Sequence, residues 1–225
     1  MTKWLVLFLL AFAAPASAQI PPNADELAAY RGLHAAAAQG DTAAIDRLAA
    51  SKTPIDARDG YGRTPLHVAV FLKQPAAARA LVRHGADANA LEAQKYDIVT
   101  IAAVANDVPM LKLALELGGS AKNITSPYVG TALIASAHLG HDEVVRILIA
   151  AKAPLDHVNN LGWTALIESI VLGNGGKRHI ACLDALVKAG ANVNLADRGG
   201  STPLKLARGR GYTDMVAILE KVGAR

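Results

Sequence analysis

The residues best equipped for chemistry in this chain are a single cysteine, Cys182, and seven histidines. His179 lies three positions before Cys182, a spacing that lets an imidazole act as base toward a thiol on one helix. The thiol also sits in the run from Ile180 to Lys188, where Ile180, Leu183, Leu186 and Val187 mark an apolar face. A lone cysteine in such a run is expected to be a small buried hydrophobe, with redox chemistry as the alternative. The histidines have no cysteine or carboxylate cluster at ligand spacing, so no metal site is expected. A serine nucleophile elbow, a paired-carboxylate cleft and a complete phosphate loop are also missing. The stretch from Gly173 to Arg178 resembles a phosphate cradle only in outline. No strand precedes it, its glycines are misplaced relative to Lys177, and Arg178 stands where a Ser or Thr would hold magnesium. It reads as an exposed insertion, with Lys177 and Arg178 available to an acidic surface. No catalytic residue, metal or cofactor is therefore expected.

The elements that carry these residues must be built from small side chains. Of 225 residues 52% are hydrophobic, yet 46 are alanine and only ten are Phe, Trp or Tyr. Packed elements can then approach closely, which suits thin stacked helices better than a β-sandwich. One cysteine excludes a disulfide scaffold, and 19% charged residues exclude a highly charged disordered chain. The net charge of +4 is the difference between 23 basic and 19 acidic residues. No dense basic patch or reading helix accompanies it, so no nucleic-acid partner is expected.

Residues 1–18 read as a secretory signal peptide. Lys3 precedes an apolar run from Trp4 to Ala14, followed by Pro15 and the small triplet Ala16, Ser17, Ala18. The run of 11 residues is shorter than the roughly 20 that cross a bilayer. No integral membrane span is expected, and no cysteine follows the cleavage site to carry a lipid. The mature chain would start at Gln19 and be exported, to a bacterial periplasm foremost or else into the medium.

The rest of the chain repeats itself. Aliphatic residues recur at Leu33, Leu66, Val99, Leu133, Leu166 and Leu204, with spacings of 33, 33, 34, 33 and 38. Three positions after each stands a small residue: Ala36, Ala69, Ala102, Ser136, Ser169 and Ala207. The same register places Lys52, Gly85, Gly118, Lys152, Gly190 and Gly223 at a third slot. Such periodicity divides 19–225 into units of about 27–60, 61–93, 94–127, 128–160, 161–198 and 199–225. In the second unit Thr64 can cap a helix with Pro65 in its first turn, and Leu66, Ala69 and Val70 give it one apolar stripe. Pro75 opens a second helix that Gly85 ends in the left-handed conformation. The turn-rich segment after it suits an exposed hairpin. A unit of this size cannot bury its own apolar faces, so neighbours must stack.

These residues resemble the ankyrin-repeat family, whose unit of about 33 residues opens with Thr-Pro-Leu-His. Thr64, Pro65, Leu66 and His67 match that opening fully. Thr202, Pro203 and Leu204 match it with Lys205 in the His slot, while Thr131 with Leu133 and Thr164 with Leu166 match in part. Gly85, Ala86, Asp87 and Asn89, Gly140 with His141, and Gly190 to Asn192 match further stretches. The resemblance implies an all-α solenoid of about six helix-turn-helix units with hairpin-like connecting loops, and a non-catalytic role in binding other proteins. It also implies that His67, His84, His141 and His34 occupy structural slots and bond backbone groups between units. Three departures carry expectations. Asp97 replaces the threonine cap of the third unit and should serve equally well. Lys52 and Lys152 replace glycine, each with a proline two residues on, so their turns are open to a different construction. Lys205, Arg208 and Arg210 should give the last unit a polar outer face.

The scarce aromatics suggest where a partner would bind. Tyr30, Tyr96 and Trp163 share with Arg63 the position just before the helix cap, and Tyr61 and Tyr128 lie two positions earlier. Stacking would align them along one edge, and Tyr, Trp and Arg are the types most enriched at binding hot spots. The expected function is a monomeric protein-binding module that uses the hairpin edge and the inner helix face. A redox protein built on Cys182 and His179, or an effector directed at a host, are the alternatives.

Overall fold

The computed structural model describes residues 19–225, so the expected leader and its cleavage site lie outside the described residues. Thirteen helices follow one another among those described: α1 (Ala24–Ala29), α2 (Gly32–Gln39), α3 (Thr42–Ala50), α4 (Pro65–Phe71), α5 (Pro75–Arg83), α6 (Ile98–Val104), α7 (Val108–Glu116), α8 (Ala132–Leu139), α9 (Asp142–Ala150), α10 (Ala165–Val171), α11 (Lys177–Lys188), α12 (Pro203–Gly209) and α13 (Thr213–Lys221). One isolated antiparallel bridge joins Thr125 to Gly130. The fold is all-α, and from α2 onward the helices run in six pairs. The repeat register does not account for α1, which starts in a capping box between Asn23 and Glu26.

Local chemistry explains where the first helix of each pair begins. Thr64, Asp97, Thr131, Thr164 and Thr202 each accept the backbone N–H three residues on, a cap worth about 1 kcal/mol. Pro65, Pro75 and Pro203 occupy the first helical position, where a missing N–H costs nothing. The second helices end in a uniform way. Lys52, Gly85, Gly118, Lys152, Gly190 and Gly223 all adopt left-handed backbone, with φ between +60° and +95°. The turns at Lys52 and Lys152 are thus built like their glycine counterparts despite the prolines that follow. Lysine there carries a strain of about 1 kcal/mol that glycine avoids.

Packing then follows from the register. The helices α2, α4, α6, α8, α10 and α12 stack in chain order, and the second helices form a layer behind them. The aliphatic slot from Leu33 to Leu204 is buried in every unit, as is the small slot from Ala36 to Ala207. A small residue there allows adjacent first helices to approach closely. Ser136 and Ser169 take this slot by turning their hydroxyls back to the carbonyls of Ala132 and Leu166. Histidines bolt the first units together: His34 Nε2 donates to the Arg63 carbonyl at 2.9 Å and His67 Nε2 to the Tyr96 carbonyl at 3.2 Å. Burial pushes the His67 imidazole down to about 4. Neutral at ordinary pH, it keeps Nδ1 as acceptor for the Thr64 N–H at 3.1 Å.

The insertion in the fifth unit is more ordered than its composition suggests. Lys177 and Arg178 are not loop residues but the exposed first turn of α11, which spans 12 residues. The remaining loop is held at both sides. Asn174 Oδ1 accepts the Gly176 N–H at 2.9 Å, and the Tyr212 hydroxyl donates to the Gly173 carbonyl at 3.0 Å.

If stacking supplies the stability, Leu133→Ala should cost about 3 kcal/mol in urea unfolding, since Leu133 is fully buried between helices of different units. Lys152→Gly should instead raise stability by up to about 1 kcal/mol.

Candidate functional site

The loops between helix pairs form hairpins, each closed by an acceptor aimed at the chain's own N–H groups. Asp59 Oδ1 accepts from Tyr61 and Arg63, both at 2.9 Å. Glu92 accepts from Tyr96 at 2.9 Å, Ser126 from Tyr128 and Gly130 at 3.3 and 3.4 Å, Asn159 from Leu161 and Trp163, both at 3.0 Å, and Asp197 from Gly199 and Ser201 at 2.9 and 2.8 Å. Consecutive hairpins are also joined by backbone bonds. Ala93 N–H donates to the Tyr61 carbonyl, Ser126 to Lys95 and Asn160 to Tyr128, at 3.0, 3.0 and 2.9 Å. The result is a continuous edge running from the first hairpin to the fourth. The recurring acidic or amide residue at 59, 159 and 197, five before each helix cap, was the sequence signal for this construction.

The six residues expected to bind along this edge divide into different roles. Arg63 is only 1% exposed and Tyr96 is 7% exposed, so neither presents a side chain to a partner. That corrects the expectation at two positions, and the cause is local. The Arg63 guanidinium is enclosed by Asp59 at 2.7 Å, Glu26 at 3.0 Å and the Ile20 carbonyl at 3.1 Å, with its carbon 4.6 Å from the centre of the Tyr61 ring. Tyr30 joins the same cluster by donating its hydroxyl to Asp59 at 2.6 Å. Burial alone would raise the Asp59 carboxyl, but the hydrogen bonds from Tyr30 and Arg63 outweigh it and hold the group below the usual carboxylate range. Burial and the bond to Asp59 push the Tyr30 phenol up. Tyr30, Arg63 and Asp59 thus anchor α1 and the segment before it to the first hairpin. Tyr61 is exposed, while Tyr128 and Trp163 are half-buried.

Large apolar side chains do reach solvent on this edge, but they are mainly aliphatic. Tyr61, Ile124, Val129, Val158 and Leu161 are between 41% and 53% exposed, all on hairpins. Leu139 and Leu172 are exposed at the ends of α8 and α10, on the first-helix layer. Attention to aromatic types passed over these aliphatics, whose signal was their presence in otherwise polar, turn-rich segments.

The groups equipped for chemistry are absorbed into packing. Cys182 is fully buried and its thiol is pushed up to about 12 by burial, which leaves almost no thiolate at neutral pH. His179 does not serve it: its ring nitrogens bond the His138 carbonyl at 2.8 Å and Asn174 at 3.0 Å. His84 contacts Asp46 rather than a backbone group, at 2.7 Å, and His141 bonds the Ala103 carbonyl at 3.0 Å. Among the described residues no three His, Cys, Asp or Glu side chains gather as a metal would require. Glu168 is the most perturbed carboxyl. Burial raises it to about 7 against the opposing hydrogen bond from Asn159 Nδ2 at 2.7 Å. His138 Nδ1 lies 3.5 Å from its other oxygen. Burial pushes that imidazole down as well, so both groups favour their neutral forms over an ion pair.

The geometry has counterparts in known proteins. A family model described as ankyrin repeats, in three copies, matches residues 5–92 and 99–197. The chain belongs to the ankyrin-repeat family. It is similar to the ankyrin repeat protein YahD of Escherichia coli (strain K12), being 32% identical over 190 residues that make up 84% of this chain and 94% of that one. A solved ankyrin repeat domain from Acinetobacter baumannii AYE has 45% identity and a TM-score of 0.80, covering 86% of this chain and 98% of that one. The B-cell lymphoma 3 protein homolog of Mus musculus is 30% identical over 200 residues, but the match covers 44% of its length. Ankyrin repeats in general mediate protein–protein binding and are typically non-catalytic.

Two substitutions separate anchoring from display on this edge. Arg63→Ala should destabilise by about 3 kcal/mol, because it leaves two carboxylates without their buried partner. Tyr61→Ala should cost only about 1 kcal/mol in the same denaturation experiment, the contact of its ring with the Arg63 guanidinium. Glu168 supplies a pH test. Its carboxyl is raised in the folded chain, so its contribution is fully present below about pH 4.5 and is lost as pH rises through about 7. Glu168→Gln keeps an acceptor for Asn159 and should be more stable than the wild type by up to about 3 kcal/mol at pH 8, with no advantage near pH 4.5.

Proposed function

We propose that this chain is a non-catalytic module that binds a protein partner along its hairpin edge and the adjoining exposed side of the first helices. One observation carries the reading. Of the nine large apolar side chains exposed among the described residues, Tyr61, Ile124, Val129, Val158 and Leu161 project from linked hairpins and Leu139 and Leu172 from the ends of first helices, leaving only Ile20 and Val222, near the two ends of the described chain, off this surface. The second-helix layer differs in kind. Its charged residues pair across its surface, as in Arg79 with Glu116, Arg83 with Asp46 and Lys188 with Asp184. Exposed apolar groups gathered at one edge mark a surface meant for contact.

The setting we propose is the bacterial periplasm or the secreted space. Lys3, the apolar run from Trp4 to Ala14 and the triplet Ala16, Ser17, Ala18 support it. Among the described residues no helix is long and apolar enough to cross a membrane. The buried, high-pKa thiol of Cys182 counts against a redox role.

The test uses the protein as bait in bacterial envelope extracts, followed by hydrogen exchange on the recovered complex. A stoichiometric protein partner should slow exchange in the hairpins and first helices. Protection confined to the second-helix layer would overturn the proposed edge.

A further inference from the structure

The position two before each helix cap is left-handed in every hairpin: Gly62 at φ +71°, Lys95 at +65°, Val129 at +56°, Gly162 at +86° and Gly200 at +74°, and the third hairpin has a second such residue in Ser126 at +68°. Glycine takes this conformation without strain. An L side chain does so at a cost, greatest for a β-branched residue such as valine. The second and third hairpins therefore hold Lys95 and Val129 in a slot where the other three hairpins have glycine. Neither side chain recovers the strain by burial. Val129 is 43% exposed and Lys95 is exposed. Among the described residues the Lys95 ammonium takes part in no ion pair, in contrast to Arg79, Arg83, Arg146 and Lys188. The Lys95 N–H closes its turn on the Glu92 carbonyl at 2.9 Å and the Val129 N–H on the Ser126 carbonyl at 3.1 Å, bonds that glycine would make as well, so the two exposed side chains themselves are kept at a local cost, a pointer to use outside the fold.

The two tips are neighbours, because the Ser126 N–H donates to the Lys95 carbonyl at 3.0 Å. Ile124 lies on the same hairpin as Val129. The fourth hairpin, with Val158 and Leu161, is drawn against the third by His157 Nε2, which donates to the Val129 carbonyl at 2.7 Å. Charge is uneven across this patch. The third hairpin, 118–131, contains Lys122 and no aspartate or glutamate. The carboxylates of the flanking hairpins are already engaged: buried Asp97 accepts from Asn123 Nδ2 at 2.8 Å, Glu92 accepts the Tyr96 N–H at 2.9 Å, Asp87 the Asn89 N–H at 2.8 Å, and exposed Asp156 the Asn192 N–H of the fifth hairpin at 2.8 Å. Apolar groups and unpaired cations thus face solvent side by side.

We propose that Lys95 and Val129 form the centre of a docking patch for an extended protein segment that combines large apolar side chains with Asp or Glu. The proposal rests on the protein-binding reading above and narrows it to the second, third and fourth hairpins. The apolar side chains of the segment would cover Val129, Ile124, Val158 and Leu161, and its carboxylate would meet Lys95 and Lys122. Because the patch is built on linked hairpins, its geometry exists before the partner arrives, which lowers the ordering cost of binding.

The experiment pans a random peptide library displayed on phage against the protein and against its Lys95→Gly/Val129→Gly variant. Selected peptides should carry two or more large apolar residues with Asp or Glu. They should bind the variant about tenfold or more weakly, and lose affinity similarly when their acidic residues are replaced by lysine. The variant should also melt higher by about 2–4 °C for each strained residue relieved. Loss of binding with a gain in stability is a pairing that a purely structural role for these residues would not produce. Equal binding to the variant, basic selected peptides, no peptides selected by the wild type over the variant, or a lower melting temperature would overturn the proposal. None of these outcomes touches the broader binding reading, which the exchange footprint tests separately.

Discussion

Close approach between successive first helices is the constraint from which the other features follow. The slot occupied by Ala36, Ala69, Ala102, Ser136, Ser169 and Ala207 is at most 4% exposed throughout. A larger residue there would separate adjacent first helices and open the leucine layer beside them. This requirement explains a chain rich in alanine and poor in aromatics. It explains the period as well, since each unit must deliver the same small and large residues to the same faces. Left-handed turns at Lys52 and Lys152 are tolerated for the same reason: the gain from stacking exceeds the local strain.

A stack of this kind hides its apolar faces between units and leaves its edge to do other work. Hairpin carboxylates and amides satisfy the N–H groups of their own loops, as Asp59, Asn159 and Asp197 do. The hairpins are therefore shaped from within and joined to one another, so side chains at their tips are held in place. At the N-terminal end the same edge is used internally, where Arg63 closes on Glu26, Asp59 and Ile20. Farther along, Ile124, Val129, Val158 and Leu161 are left uncovered. One architecture thus provides an anchored end and an open stretch.

Much of the fold was legible in the sequence because its signals are local. Threonine followed by proline marks a helix start through the cap and the missing N–H, and Asp97 keeps that function by the same chemistry. Glycine after a helix marks a left-handed end, and the register extended this reading to two lysines. The candidate site was less legible because side-chain type does not fix orientation. Arg63 and Tyr96 have the composition of contact residues, yet Arg63 finds a carboxylate 37 positions away on a helix outside the repeat register. Val129 attracted no notice, since its interest lies in a backbone angle and in exposure. The insertion at Gly173 looked like a free loop because its anchors, Tyr212 and the first turn of α11, are tertiary.

Mutual burial makes a direct demand on a unit taken alone. The third unit, 94–127, should be synthesised by itself and its circular dichroism compared with that of the whole protein through a thermal melt. Dependence on neighbours predicts an unfolded peptide with no cooperative transition beside a whole chain that melts cooperatively. A peptide that is helical and melts cooperatively on its own would contradict the dependence of each unit on the next.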